Sequence, residues 1–274
     1  MAEKELKESA SPVDSLTFLG TGGARFMIIS QLLATGGVWF NLGGTEFLID
    51  PGPGCIVQAT KRKLNPEHLS AIIISHRHLD HSADVNIMTE AMTRGGIRKR
   101  GCFYAPGDAI IDEPVMYEYL KKRIECVETL APGKSYSFDD VNFSTPVRHQ
   151  HGVETYGFVF KTPKHSIAWI TDTRYFEELA EHYRGDLLLL NVVFPEPRQH
   201  VNQIEGLPVD HLSVPDAERL IKDIKPRAAI MTHFGMGMWR AKPWELAEKL
   251  SQSTGIRVIA ARDGMKFQLS ELDA

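Results

Sequence analysis

Residues 75–84 read SHRHLDHSAD and follow directly on the apolar run AIII at 71–74. A buried strand therefore ends in a turn that carries His76, His78, Asp80 and His81. Core packing gains nothing from four such polar side chains in one turn, because each needs a partner once it leaves water. Metal ligation supplies one; a solvated polar turn is the plainer alternative. The fold must then bring further ligands to this strand end.

The rest of the composition sets bounds. At 274 residues and 43% hydrophobic content the chain can bury a sizeable core. No repeat, low-complexity tract or linker divides it, so one domain is expected over 15–274, behind a polar, flexible tail at 1–14. The N-terminus lacks a signal-type apolar segment, and no stretch approaches the roughly 20 apolar residues of a membrane helix. A cytoplasmic protein with no membrane contact is expected. Cys55, Cys102 and Cys126 are scattered with no CxxC pair, which fits a reducing compartment and supplies neither a disulfide framework nor a zinc knuckle. The formal charge of -4 argues against a general nucleic-acid binder. The basic runs KRK at 61–63 and RGGIRKRG at 94–101 leave an anionic ligand open, with solvated loops as the plainer reading.

Strands separated by glycine open the chain: SLTFLG, then VWFNLG and TEFLID as a hairpin joined at Gly44 and ending at DPGPG. AIIIS at 71–75 reads as a buried strand, and apolar residues recur at helical spacing from Ser82 to Met92. Further strands are expected at 141–147, 155–160, 166–171 and 186–194. Helices at 213–224 and 243–252 then alternate with strands at 228–233 and near the C-terminus. Two strand-rich halves, each closed by helices, predict an α+β protein layered helix/sheet/sheet/helix.

His76 and His78 alternate on an extended segment, whereas Asp80 and His81 lie past the turn, so the four suit two ions better than one. Each ion then needs another histidine, and a carboxylate between two divalent charges would offset their repulsion. Candidates stand at strand ends: His149 and His151 in VRHQHG, Asp172 in WITDTR and His233 in IMTHFG. Each has a plainer role. Asp172 could cap a helix over 174–181, His233 could be a satisfied histidine at a strand end, and His149 and His151 share one nominal face.

HRHLDH resembles the HxHxDH signature of the metallo-β-lactamase superfamily, and LIDPGPG at 48–54, His151, Asp172 and His233 follow in that family's order. The resemblance implies a four-layer αββα sandwich with two divalent ions at the edge between its sheets. Zinc is the usual metal, and manganese or iron also suit histidine and aspartate. It implies His76, His78 and His151 on one ion, Asp80, His81 and His233 on the other, and Asp172 bridging. Asp50 would orient a ligand while capping its own turn, and His149 would stand behind the ligands or face solvent. His211, in VDHLSVPDAERLI, resembles the non-ligand histidine of the transfer-RNA 3′-processing endonucleases; its plainer role is to start a helix. Asp80 and His211 are the candidate catalytic groups, His211 as an acid or a positive clamp on phosphate.

Three features favour phosphorus over a carbonyl carbon: HGVETYGF at 151–158, the His211 segment, and FLGTGGA at 18–24. The last resembles the start of RNase Z and of phosphoribosyl cyclic phosphodiesterases. GTGG itself matches no complete phosphate loop, so a tight turn is its expected role. RNase Z also carries a His-Glu pair and a long arm, whereas here NVVFPEPRQH stands in the first place and no arm-length insertion occurs. The cyclic phosphodiesterases' cysteine zinc sites have no counterpart. A metal-dependent hydrolase of a small or strained phosphodiester is expected, ahead of a nucleic acid. A carbonyl hydrolase (lactonase, thioesterase or β-lactamase-like) is the alternative, and HFGMGMW at 233–239 would suit its more apolar pocket. A redox member of the fold is disfavoured, because such proteins usually carry Glu where this chain has His78.

Overall fold

A computed structural model describes residues 13–197 and 210–274, so the first twelve positions of the expected tail lie outside it. The first half forms β1 (Ser15–Phe18), β2 (Val38–Leu42), β3 (Thr45–Ile49), β4 (Leu69–Ile73), β5 (Cys102–Ala105) and β6 (Cys126–Thr129). The second half forms β7 (Lys134–Phe138), β8 (Val141–Thr145), β9 (Phe158–Lys161), β10 (Ser166–Ile170), β11 (Leu187–Phe194), β12 (Leu212–Ser213), β13 (Ala228–Thr232), β14 (Arg257–Ala260) and β15 (Lys266–Gln268). One sheet runs β15-β1-β2-β3-β4-β5-β6 and the other β14-β13-β11-β10-β9-β8-β7, with β12 beside β11. The last strand thus crosses back to the first sheet and pairs with β1.

The β2–β3 hairpin has the register Leu42↔Thr45. Gly43 and Gly44 both take positive φ, 59° and 89°, the turn whose twist matches that of paired strands. Alternation along the strands turns Phe40, Phe47 and Tyr104 of one sheet toward Phe143, Phe160 and Trp169 of the other, in one shared core. Phe40 stacks on Phe47 at 4.9 Å, and Phe160 meets Phe47 at 5.3 Å.

Helices cover both outer faces and complete the αββα layers. On the second sheet, helix Val214–Ile224 buries Ala217, Leu220, Ile221 and Ile224, the i, i+3, i+4, i+7 stripe. Ser213 caps it reciprocally with Asp216. On the first sheet, Cys55 and Ala59 of helix Cys55–Lys61 pack with Met88 and Met92 of helix Val85–Met92.

Several expectations need correction. The helix expected from Ser82 splits into a short turn, Leu79–Ser82, and Val85–Met92. Asp84 makes the break by giving its N–H to the Pro51 carbonyl and taking the Ile56 N–H on its carboxylate. The cysteines are not all free: Cys102 and Cys126 face each other in the parallel β5–β6 register and are disulfide-bonded. Their pattern therefore gives no support to a reducing compartment. Among the described residues no helix is long and apolar enough to cross a membrane.

Candidate metal centre

β3 and β4 run parallel and end side by side. Asp50, just past β3 with φ 54°, takes the Ser75 N–H on Oδ1 (2.6 Å), and on Oδ2 the Ser75 hydroxyl (2.7 Å) and His81 Nδ1–H (2.8 Å). One carboxylate therefore shapes the loop and turns His81 Nε2 into the site, while the Asp50 carbonyl accepts the Gly52 N–H in a turn. The Asp50 side chain thus orients His81 and does not cap its own turn, which the backbone carbonyl closes instead.

His78 Nδ1 lies 2.9 Å from His76 Nε2 and 3.2 Å from His151 Nε2. His151 is aimed there because its Nδ1–H is given to the Asp210 carbonyl at 2.8 Å. Three ring nitrogens on one point cannot all be satisfied by each other, whereas one cation would accept all three lone pairs. A few ångströms away, Asp80, His81 and His233 form a second group, and His76, His81 and Asp172 a third that joins the two. Asp172 Oδ2 sits between them, 3.3 Å from His81 Nε2 and from His233 Nε2 and 3.8 Å from His76 Nε2. His81 Nε2 and His233 Nε2 are buried without a hydrogen bond among the described residues. Orphaned buried nitrogens beside carboxylate oxygens fit a cation-binding cluster.

Of the two competing histidines, only His151 joins a group among the described residues. His149 turns away, with Nε2 2.7 Å from the Tyr183 hydroxyl and Nδ1 3.2 Å from the Asp172 carbonyl. Asp172 caps no helix: the next one, Leu179–His182, starts from Glu178. His211 starts none either, since Ser213 does so. Its Nδ1 is buried without a hydrogen bond among the described residues, 3.5 Å from Asp172 Oδ2, and its ring lies against His151 and Phe194.

Burial, reinforced by the neighbouring imidazoles, holds His76 well below the usual histidine range. Burial likewise brings His78 down to about 4 and His151 to about 3. Neutral imidazoles offer the lone pairs a cation needs. At His81 burial opposes the charged form, but the carboxylates of Asp50, Asp80 and Asp172 outweigh it and raise its pKa. Burial also works against charge on Asp172 and Asp80, yet nearby imidazoles prevail, so both stay ionised.

Some contributors were not foreseen. The Ala24 N–H bonds Asp80 Oδ2 at 2.9 Å, so the GTGG turn also holds a site carboxylate. Asp263 braces that turn through the Thr21 N–H and hydroxyl on Oδ1 and the Ala34 N–H on Oδ2. Asn191 holds the second oxygen of Asp172. Only the glycine pattern at 20–23 gave a signal in the sequence.

Residues 45–234 match the family described as Beta-lactamase superfamily domain. An uncharacterized protein of Methanocaldococcus jannaschii is 36% identical over 93% of this chain and 94% of its own. Ribonuclease Z of Borreliella burgdorferi is 24% identical over 94% of this chain and 97% of its own. Among solved structures, the metallo-beta-lactamase fold protein YhfI of Bacillus subtilis superposes with a TM-score of 0.73 at 20% identity, over 94% of this chain and all of that one. The shared fold, the two-sheet architecture and the length of these matches make the chain a member of the metallo-β-lactamase superfamily, a family of metal-dependent hydrolases.

Proposed function

We propose that the protein is a phosphodiester hydrolase with two divalent ions, zinc being the best suited to its donors. His76, His78 and His151 would hold one, Asp80, His81 and His233 the other, with Asp172 between them. The observation that carries this is the overlap of three ligand groups through His76, His81 and Asp172, with the orphaned Nε2 atoms of His81 and His233 beside the shared carboxylates. Divalent ions in such a site lower the pKa of water toward neutrality and stabilise negative charge on oxygen.

The chain's own groups do the rest. Asp50 and the Asp210 carbonyl engage Nδ1–H of His81 and His151, so each would present Nε2 inward, His81 releasing its Nε2 proton to solvent when an ion binds. Asp80, held by the Ala24 N–H, binds and offsets positive charge. His211, whose Nδ1 has no hydrogen bond among the described residues and whose pKa burial lowers, would serve as a neutral imidazole whose N–H donates a hydrogen bond to a phosphoryl or leaving oxygen. The full-length likeness to a protein named as a ribonuclease supports phosphorus as the electrophile. A small or strained diester is the preferred substrate over a nucleic acid, since RNase Z's arm has no counterpart in the sequence.

The test is turnover by the zinc- or manganese-loaded protein of bis(p-nitrophenyl) phosphate against lactone, thioester and β-lactam probes. Faster hydrolysis of the phosphodiester per site is expected. Preferential turnover of a carbonyl probe would transfer the protein to the carbonyl hydrolases.

A further inference from the structure

Asp172 has two oxygens with unlike surroundings. Oδ2 faces the imidazoles of His76, His81, His211 and His233 at 3.3 to 3.8 Å. Oδ1 instead accepts the amide of Asn191, Nδ2–H, at 2.8 Å. The Asn191 carbonyl in turn accepts the Trp169 indole N–H at 3.0 Å. Trp169, Asn191 and Asp172 are 3%, 2% and 1% exposed, so water does not compete for these bonds.

The order of this chain is set by chemistry. An indole nitrogen only donates, so the Asn191 atom facing it must be the carbonyl oxygen, and the amide nitrogen must face Asp172. Trp169 is itself fixed between the sheets, 6.0 Å from the Phe40 ring and 6.4 Å from the Phe158 ring. A rigid core residue thus fixes an amide, and the amide fixes a carboxylate.

We infer that Asn191 is a positioning residue that commits Asp172 to the metal centre through Oδ2 alone. The reading rests on Asp172 as a metal ligand and adds what decides its geometry. Turning Oδ1 toward an ion would break its bond to the Asn191 amide, so Oδ2 is the oxygen that Asp172 would offer to bound metal. A neutral amide suits this place. A cation there would compete with the metals for the negative charge, and a second carboxylate would repel Asp172. Leucine fills a similar volume but leaves both Asp172 Oδ1 and the indole N–H buried without a partner.

The experiment measures zinc affinity by chelator competition and the visible spectrum of the cobalt-substituted protein, for the parent, Asn191→Leu, Asn191→Asp and Trp169→Phe. Ile167→Ala, a cavity in the same core, is the control for stability alone. Loss of a partner behind a ligand typically weakens metal binding about 10- to 100-fold. That loss is expected for the more weakly held ion in both Asn191 variants, with a changed cobalt spectrum. Trp169→Phe should move both readouts in the same direction by less, and it keeps the test alive if an Asn191 variant fails to fold. Ile167→Ala should lower thermal stability with affinity and spectrum unchanged. A parent that binds no ions would overturn the metal-centre reading itself. A parent that binds two, with folded Asn191 or Trp169 variants of equal affinity and unchanged spectrum, would overturn this inference alone.

Discussion

Gly23 lies flat against the ring of His233: a Cβ at position 23 would stand 2.2 Å from the histidine Nε2. Space, not backbone conformation, demands glycine, because this glycine is not among those with positive φ. The approach is held by the Gly23 N–H on the Phe234 carbonyl and the Phe234 N–H on the Thr21 carbonyl. Gly23→Ala should therefore push His233 off the ligand position proposed for it. Elemental analysis is expected to find about one ion per chain in the variant against two in the parent, and two in both would refute the packing argument.

Exchanging the two histidines of VRHQHG separates their roles. His151→Ala should strip or weaken one ion and abolish hydrolysis. His149→Ala should keep both ions, and its cost should fall on stability, since it removes a buried partner of Tyr183. The reverse pattern in metal analysis would reassign the ligand.

His211 lies outside the three ligand groups. His211→Ala should leave metal content unchanged and lower phosphodiesterase kcat by roughly a hundredfold or more, the scale of a lost general acid or oxyanion donor. Metal loss in this variant would show that His211 is a ligand.

His149 also gives a pH dependence. Burial holds its folded pKa at about 4, below the ordinary histidine value near 6.5. The unfolded chain therefore binds more protons between these values, so stability drops as pH falls from about 6.5 to about 4 and levels off below. For this one group the loss reaches about 2 kcal/mol by pH 5. Urea unfolding at pH 7.5 and 5 should show His149→Gln losing less between the two than the parent; equal losses would contradict it.

The Cys102–Cys126 bond closes a sequence separation of 24. Loop closure of that size is worth about 3.5 kcal/mol by the chain-entropy relation. Reduction by a phosphine should lower the parent's unfolding free energy by up to that amount and leave Cys126→Ser unchanged. A parent indifferent to reduction would mean that the bond adds nothing to stability.

The candidate ligands stood out in the sequence because each stands where an apolar run stops, and the two-sheet layering was legible from the runs themselves. β5, β6 and β7 were not. They are only four or five residues long, and β6 and β7 present mostly half-exposed or exposed side chains, so they show no apolar run. The cysteine pair was hidden for the same reason, since register alone places Cys102 opposite Cys126. Asn191 sits inside LLLLNVVF, where it reads as one polar interruption of a buried strand. The GTGG segment was read as a turn, which it is; that a neighbouring ring needs the missing Cβ depends on contacts between distant parts of the chain.

His76, His78, Asp80 and His81 issue from the first sheet, and His151, Asp172 and His233 from the second. In the proposed assignment every ion is therefore gripped from both sides of the seam and acts as a rivet between the halves of the sandwich. Metal binding and sheet docking then share one free energy, because neither half alone offers a complete set of donors. A chain starved of metal would loosen first along this seam, with each half still hydrogen-bonded within itself. Its resistance to proteolysis would then follow the supply of the ion as closely as its activity does.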